Sequence, residues 1–333
     1  YGTVAYFAVD TFTTGIYRAW FSLGDRVAAA QLAAMLLAFV LFLLMAERVS
    51  RGRARYHNTT GRNRPMAGAR LRGSAAVLAF VGCLLPLLLG FLLPATLLLK
   101  MALAEGDAQF GERFLVLGRN SFVLAGITAG IGVLLALLMA YGARLSKSVL
   151  ARGLNRLVGL GYAVPGAVIA VGVLIPVTRL DNWLAGQWGH WFGSNPGLLL
   201  TGGIAALIYA YLVRFLAVAL HTVESSLGKI TPNMDDAARS LGLGLGATLR
   251  RVHAPMLRGS LLTAGLLVFV DVMKELPATL VMRPFNFDTL ATQAYTLASD
   301  ERLAEASTAA LAIVAVGLLP LIALSRQISR ARK

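Results

Sequence analysis

Long apolar runs alternate along the chain with short polar breaks. Seven runs reach the roughly 20 residues that a helix needs to cross a bilayer core: 28–46, 75–99, 121–141, 157–177, 198–220, 260–282 and 306–324. They are continuously apolar, not alternating over about ten residues, which predicts helices and not barrel strands. The expected fold is an all-α integral membrane protein with seven transmembrane helices. Of the 333 residues, 57% are apolar and 14% charged, against about 45–50% and 25% in soluble domains. That composition excludes a soluble enzyme and a disordered chain.

The formal charge of +15 invites a nucleic-acid reading, but the placement of the bases argues otherwise. Twenty-one Lys and Arg fall in segments 47–74, 142–156, 221–259 and the tail after residue 324, and eight fall in the alternate segments. Such alternation is a topology signal: it puts the first set, and the C-terminus, in the cytoplasm. No nucleic-acid partner is expected. The N-terminus of this stretch then lies outside, ahead of seven helices and without a signal peptide, so further upstream sequence is expected. The single cysteine, Cys83, allows no intrachain disulfide, and the four histidines form no close-spaced ligand pair.

An internal repeat sharpens the organisation. Residues 10–17 match 288–295, with Asp10, Thr11, Thr14 and Tyr17 in register with Asp288, Thr289, Thr292 and Tyr295; after a two-residue gap, Arg26 matches Arg302. Each copy precedes one outside-to-inside helix. On this reading residues 1–46 hold an outer loop and the last helix of a first half. Residues 47–74 form an Arg-rich cytoplasmic linker near anionic lipid, and 75–333 form a complete six-helix second half.

The loop at 221–259 predicts a short exposed helix over 232–241. Thr231 reads as its N-cap, Pro232 as its first residue, Asp235 and Asp236 as first-turn anions, and Gly242 as its stop. Ala237 and Ala238 leave room for another surface. Asp236-Ala237-Ala238, three residues, Gly242, nine residues, then Val252-His253-Ala254-Pro255 resembles the EAA loop of bacterial ABC importer permeases. In place of the family's Glu, Ile and Leu stand Asp236, Val252 and Ala254. The resemblance implies that the last six helices form one permease half. It also implies that Asp235, Asp236, Ala237, Ala238, Gly242 and Pro255 couple it to a cytoplasmic ATPase dimer. Gly242, Gly244 and Ala247 mimic a dinucleotide fingerprint, but no strand precedes them, and residues 227–230 lack a Walker A pattern. No catalytic residue and no cofactor is therefore expected on this chain; ATP belongs to the partner, and the chain is not itself an enzyme.

The sixth run contains Asp271, Lys274 and Glu275, followed by Pro277. Charges inside a bilayer span face a cavity or a partner, and an unbroken helix would set all three on one face. They are candidates for a translocation path, the competing role being to pin helices together. Residues 274–280, 283–290 and 298–302 resemble the ferric-iron branch of the same permeases, in which two halves are commonly fused. That implies an inner-membrane importer of ferric iron, fed by a periplasmic substrate-binding protein. Thiamine or another small solute is the alternative within the family, and an ion-coupled secondary transporter the alternative outside it. Gly126 and Gly130 read as a helix-packing pair, Trp183, Trp188 and Trp191 as an anchor in one outer loop, and Arg214 as snorkelling to the headgroups. No metal ligand set is assigned; Tyr17 and Tyr295 are single tyrosines in outer loops.

Overall fold

A computed structural model describes residues 1–51, 70–104, 111–146 and 148–331. Among these residues every regular element is helical. In chain order the α-helices are α1 (Gly2–Tyr6), α2 (Phe12–Tyr17), α3 (Arg26–Arg51), α4 (Ser74–Leu87), α5 (Leu93–Ala104), α6 (Glu112–Leu145), α7 (Val149–Gly159) and α8 (Gly166–Phe192). They continue with α9 (Ala205–Leu227), α10 (Pro232–Ser240), α11 (Leu245–Thr248), α12 (Ala254–Met273), α13 (Pro277–Met282), α14 (Leu290–Ser299) and α15 (Leu303–Ala331). Wider π-helical turns join α4 to α5 and α11 to α12, and a third follows α2.

Seven stretches are long and apolar enough to cross a membrane: Arg26–Ser50, Ser74–Ala104, Glu112–Leu145, Gly166–Phe192, Ala205–Leu227, Leu245–Met273 and Leu303–Pro320. The protein is an all-α integral membrane protein. Most of the linker expected at 47–74 lies outside the described residues, although α3 runs on to Arg51.

The centre is a three-helix packing of α6, α9 and α12. Small residues stand among the larger ones on their buried faces: Ala125, Ala129, Gly132, Ala136 and Ala140 on α6, Ala206, Ala210, Ala217 and Ala219 on α9, and Ala264 on α12. Small side chains let backbones approach closely, which matters where lipid tails supply no hydrophobic drive between helices. Around this centre α8 packs on α3, α9 and α13, and α15 packs on α5, α12 and α14. The span formed by α4 and α5 contains no buried residue and lies chiefly along α15.

The third span starts earlier than expected, at Glu112, and the fifth is shifted along the chain to Ala205–Leu227. Two further spans differ because a proline hides in an apolar run. The fourth begins at Gly166, not at 157. Pro165 occupies the N-cap position and Val164 before it is extended, as the residue before proline prefers. Residues 149–159 instead form the separate amphipathic α7, whose buried Asn155 donates to Glu224 Oε1 at 2.7 Å and ties it to α9. In the sixth span the helix stops at Met273. Residues 274–276 break it, and Pro277 starts α13, since proline cannot continue a helix from within but suits its first turn.

Three smaller expectations also change. Trp183, Trp188 and Trp191 lie in the last turns of α8 and not in a loop. Gly126 and Gly130 face outward, and among the described residues no atom lies near enough for a Cβ there to meet. The repeated segments each fold as a helix with a reciprocal capping box, Thr11 with Thr14 and Thr289 with Thr292. Each follows a left-handed residue two positions before the aspartate, Ala8 and Asn286. At the next turn the left-handed residues Gly24 and Glu301 each stand two positions before a helix start, which sets Arg26 opposite Leu303 and not opposite Arg302.

Candidate functional site

Helix α10 lies between two spans, α9 and α12, at the end of the bundle where α6 terminates. Gly242 ends it at φ +78°, a conformation that glycine adopts freely, while Gly242 N–H and Leu243 N–H donate to Arg239 O (2.9 Å) and Ala238 O (3.0 Å). Thr231 holds the N-cap position as expected, but its hydroxyl makes no capping bond.

The six residues grouped as coupling candidates separate into two faces. Asp236 and Ala237 are exposed, and the Asp236 carboxylate pairs with the exposed Arg239, three residues on, at 2.5 Å. Ala238 is buried and Asp235 is turned towards the bundle. Asp235 Oδ2 accepts from Arg144 Nη2 at 2.7 Å and Nε at 3.0 Å, and Asp235 Oδ1 lies 2.8 Å from His253 Nε2. Pro255 stands in the first turn of α12 and is exposed. Sequence reasoning missed Arg144, which counted only as one topology charge among many, and His253, which stood at the motif's unspecified position. Their signal is spatial: no spacing in the chain relates residue 144 to 235.

The candidate path residues are not on one face. Because α12 stops at Met273, Asp271 and Glu275 point different ways. Lys274 is exposed and pairs with Asp271 at 2.9 Å. Glu275 is buried, and its Oε2 accepts from Arg214 Nη1 at 2.6 Å while Oε1 accepts from Ala278 N–H at 3.1 Å. Arg214 therefore does not snorkel; it forms a pair inside the bundle. Each of the two carboxylates thus has its own cation.

Around the break the backbone is also bound. Tyr211 and Thr279 hydroxyls lie 2.6 Å apart, Thr279 donates to Glu275 O at 2.6 Å, and Tyr17 donates to Pro277 O. The helix interruption at 274–276 is thus held by α2, α9 and α13 together. Beside it, at the end of the bundle away from α10, a cavity of about 520 Å³ is lined by Tyr1, Asp10, Tyr17, Arg18, Arg283 and Tyr295 among others. Tyr17 and Tyr295, from the two repeat copies, both face it. Arg18 pairs with Asp10 at 3.3 Å and Arg283 pairs with Asp288. Among the described residues no group of three His, Cys, Asp or Glu side chains could hold a metal ion.

Comparison with known proteins gives this geometry a context. The Fe(3+)-transport system permease protein FbpB 2 of Haemophilus influenzae is 27% identical over 98% of this chain and 62% of its own length. The putative 2-aminoethylphosphonate transport system permease protein PhnV of Salmonella typhimurium is 25% identical over 61% of this chain and 68% of its own. The chain thus spans less than two thirds of the length of the first of these relatives. A solved bacterial ABC transporter involved in the import of the polysaccharide alginate has a chain that superposes with a TM-score of 0.57, at 16% identity, covering 77% of this chain and 95% of that one. That likeness shows a shared fold. Residues 132–333, which include α10, its flanking spans and the broken helix, match the family of binding-protein-dependent transport system inner membrane components, and the chain belongs to that family.

Proposed function

We propose that this chain is the permease part of an ATP-driven importer that takes ferric iron from a periplasmic substrate-binding protein and releases it into the cytoplasm. In this reading α10 is the coupling helix, its exposed Asp236 and Ala237 meet a separate cytoplasmic ATPase dimer, and ATP binds there and not on this chain. The bases crowded at the α10 end support a cytoplasmic position for that end. Residues 75–333 act as one permease half; residues 1–46 belong to the other half, joined to it through the linker at 47–74.

The observation that carries the reading is the short helix α10, outside the spans, stopped at Gly242 and offering an aspartate and an alanine outward. Ferric iron is favoured over other solutes by the relative that covers nearly the whole chain. The phosphonate-named relative keeps a second reading open, a small organic solute as cargo. The test is uptake by proteoliposomes holding the full-length transporter, its ATPase and its binding protein. ATP-dependent accumulation of labelled iron supports the first reading; accumulation of 2-aminoethylphosphonate or thiamine without iron supports the second. Uptake driven by an ion gradient with no ATPase present would overturn both.

A further inference from the structure

Asp235 and Asp236 are adjacent yet have opposite surroundings. Successive residues on a helix point about 100° apart, so Asp236 looks away from the protein while Asp235 looks into it. There Asp235 is shared. Its Oδ2 is gripped by the fork of Arg144 from the last turn of α6, at 2.7 and 3.0 Å. Its Oδ1 lies 2.8 Å from Nε2 of His253, which is fully buried at the entrance to α12. Arg144 reaches further, donating through Nη1 to Leu227 O at 2.8 Å and through Nη2 to Ile230 O at 2.9 Å, where α9 ends. The Tyr141 ring meets the His253 ring edge-on at 5.3 Å and its hydroxyl donates to Leu245 O at 3.1 Å. One carboxylate therefore ties α10 to the end of α6 and, through Arg144, to the end of α9. It meets His253 at the entrance to α12 by close approach, without a hydrogen bond between them. Helices α6, α9 and α12 are the three at the centre of the bundle.

We infer that Asp235 is the positioning residue through which displacement of α10 reaches all three central spans, with Arg144 and His253 as its contacts, while Asp236 serves the partner. This rests on the reading of α10 as the coupling helix. The covalent connection after α10 is a weak lever, because it runs through Gly242 and Gly244 before α11 begins at Leu245, and glycine backbone yields readily to torsion. A forked, charge-assisted grip resists both sliding and rotation.

The experiment uses the full-length transporter with its ATPase and binding protein in proteoliposomes. Stimulation of ATP hydrolysis by the binding protein reads transmission across the membrane whatever the cargo. Asp235→Asn should retain the ATPase through purification but lose at least about fivefold in stimulation, as expected for removal of a coupling contact. Asp235→Glu should keep at least half of it, and Asp236→Asn should instead weaken retention of the ATPase. Arg144→Lys, which keeps the charge without the fork, should also lower stimulation, and combining it with Asp235→Asn should cost nothing more. Wild-type stimulation in Asp235→Asn or Arg144→Lys, equal loss of the ATPase in Asp235→Asn and Asp236→Asn, or additive losses in the double variant would each overturn the inference. A wild-type chain that retains no ATPase would instead refute the proposed function.

Discussion

A Cβ added at Gly166 would sit 2.5 Å from both Arg214 Nη1 and Glu275 Oε1 and 3.1 Å from Pro277 Cβ. The absence of a side chain there is what lets α8 close over the buried ion pair. Gly166→Ala is expected to cost about 1–3 kcal/mol, the usual range for overpacking, seen as a lower melting temperature in detergent. Glu275→Gln leaves the partly buried Arg214 without its counter-charge. Losing one member of a fully buried pair costs about 3–5 kcal/mol, so the loss here falls toward or below the lower end. That variant should lose thermal stability and transport together, and Arg214→Met with Glu275→Leu should regain most of the stability. A Glu275→Gln protein that melts normally but transports slowly would restore the path role. Counting charges along the sequence could not reveal this pairing. Arg214 and Glu275 are 61 residues apart, and each alone looks like a charge in search of water.

Helix α10 was legible because its signals are local. Proline after a turn, acids in the first turn and a glycine stop act within about ten residues, and the helix spans Pro232–Ser240 as they imply. Gly242→Val forces a β-branched residue into the left-handed region, at about 1–2 kcal/mol. The expected result is faster amide exchange across 237–243 with unchanged exchange in the central spans; uniform protection would contradict it. The fourth and sixth spans were less legible, since hydropathy sums over a window and passes through Pro165 and Pro277 without a step. Only the backbone shows that one apolar run is a surface helix, a turn and a span, and that another is a span, a break and a short helix. The two faces of α10 were equally hidden, because which way an aspartate points depends on Arg144 from a distant helix.

At the scale of the whole molecule, the orientation is open to a direct check. In a Cys83→Ser background, a cysteine at Ser50 should react with membrane-impermeant reagents only from the cytoplasmic side, and one at Ser194 only from outside. The reverse pattern would move α10 to the wrong side for an ATPase. The alternation of basic segments is the ground for this expectation, and it depends on loops and not on packing. What packing alone decides is how firmly each span is held. The span at Ser74–Ala104 has 31 residues and no buried side chain. At 1.5 Å per residue it is roughly 46 Å long, against a hydrocarbon core of about 30 Å. A rod that long must tilt or bend to hide its apolar length. Where it leans on α15 through α5, that contact and the thickness of the bilayer act on its inclination together, so this edge of the protein answers to the lipid as well as to its neighbour.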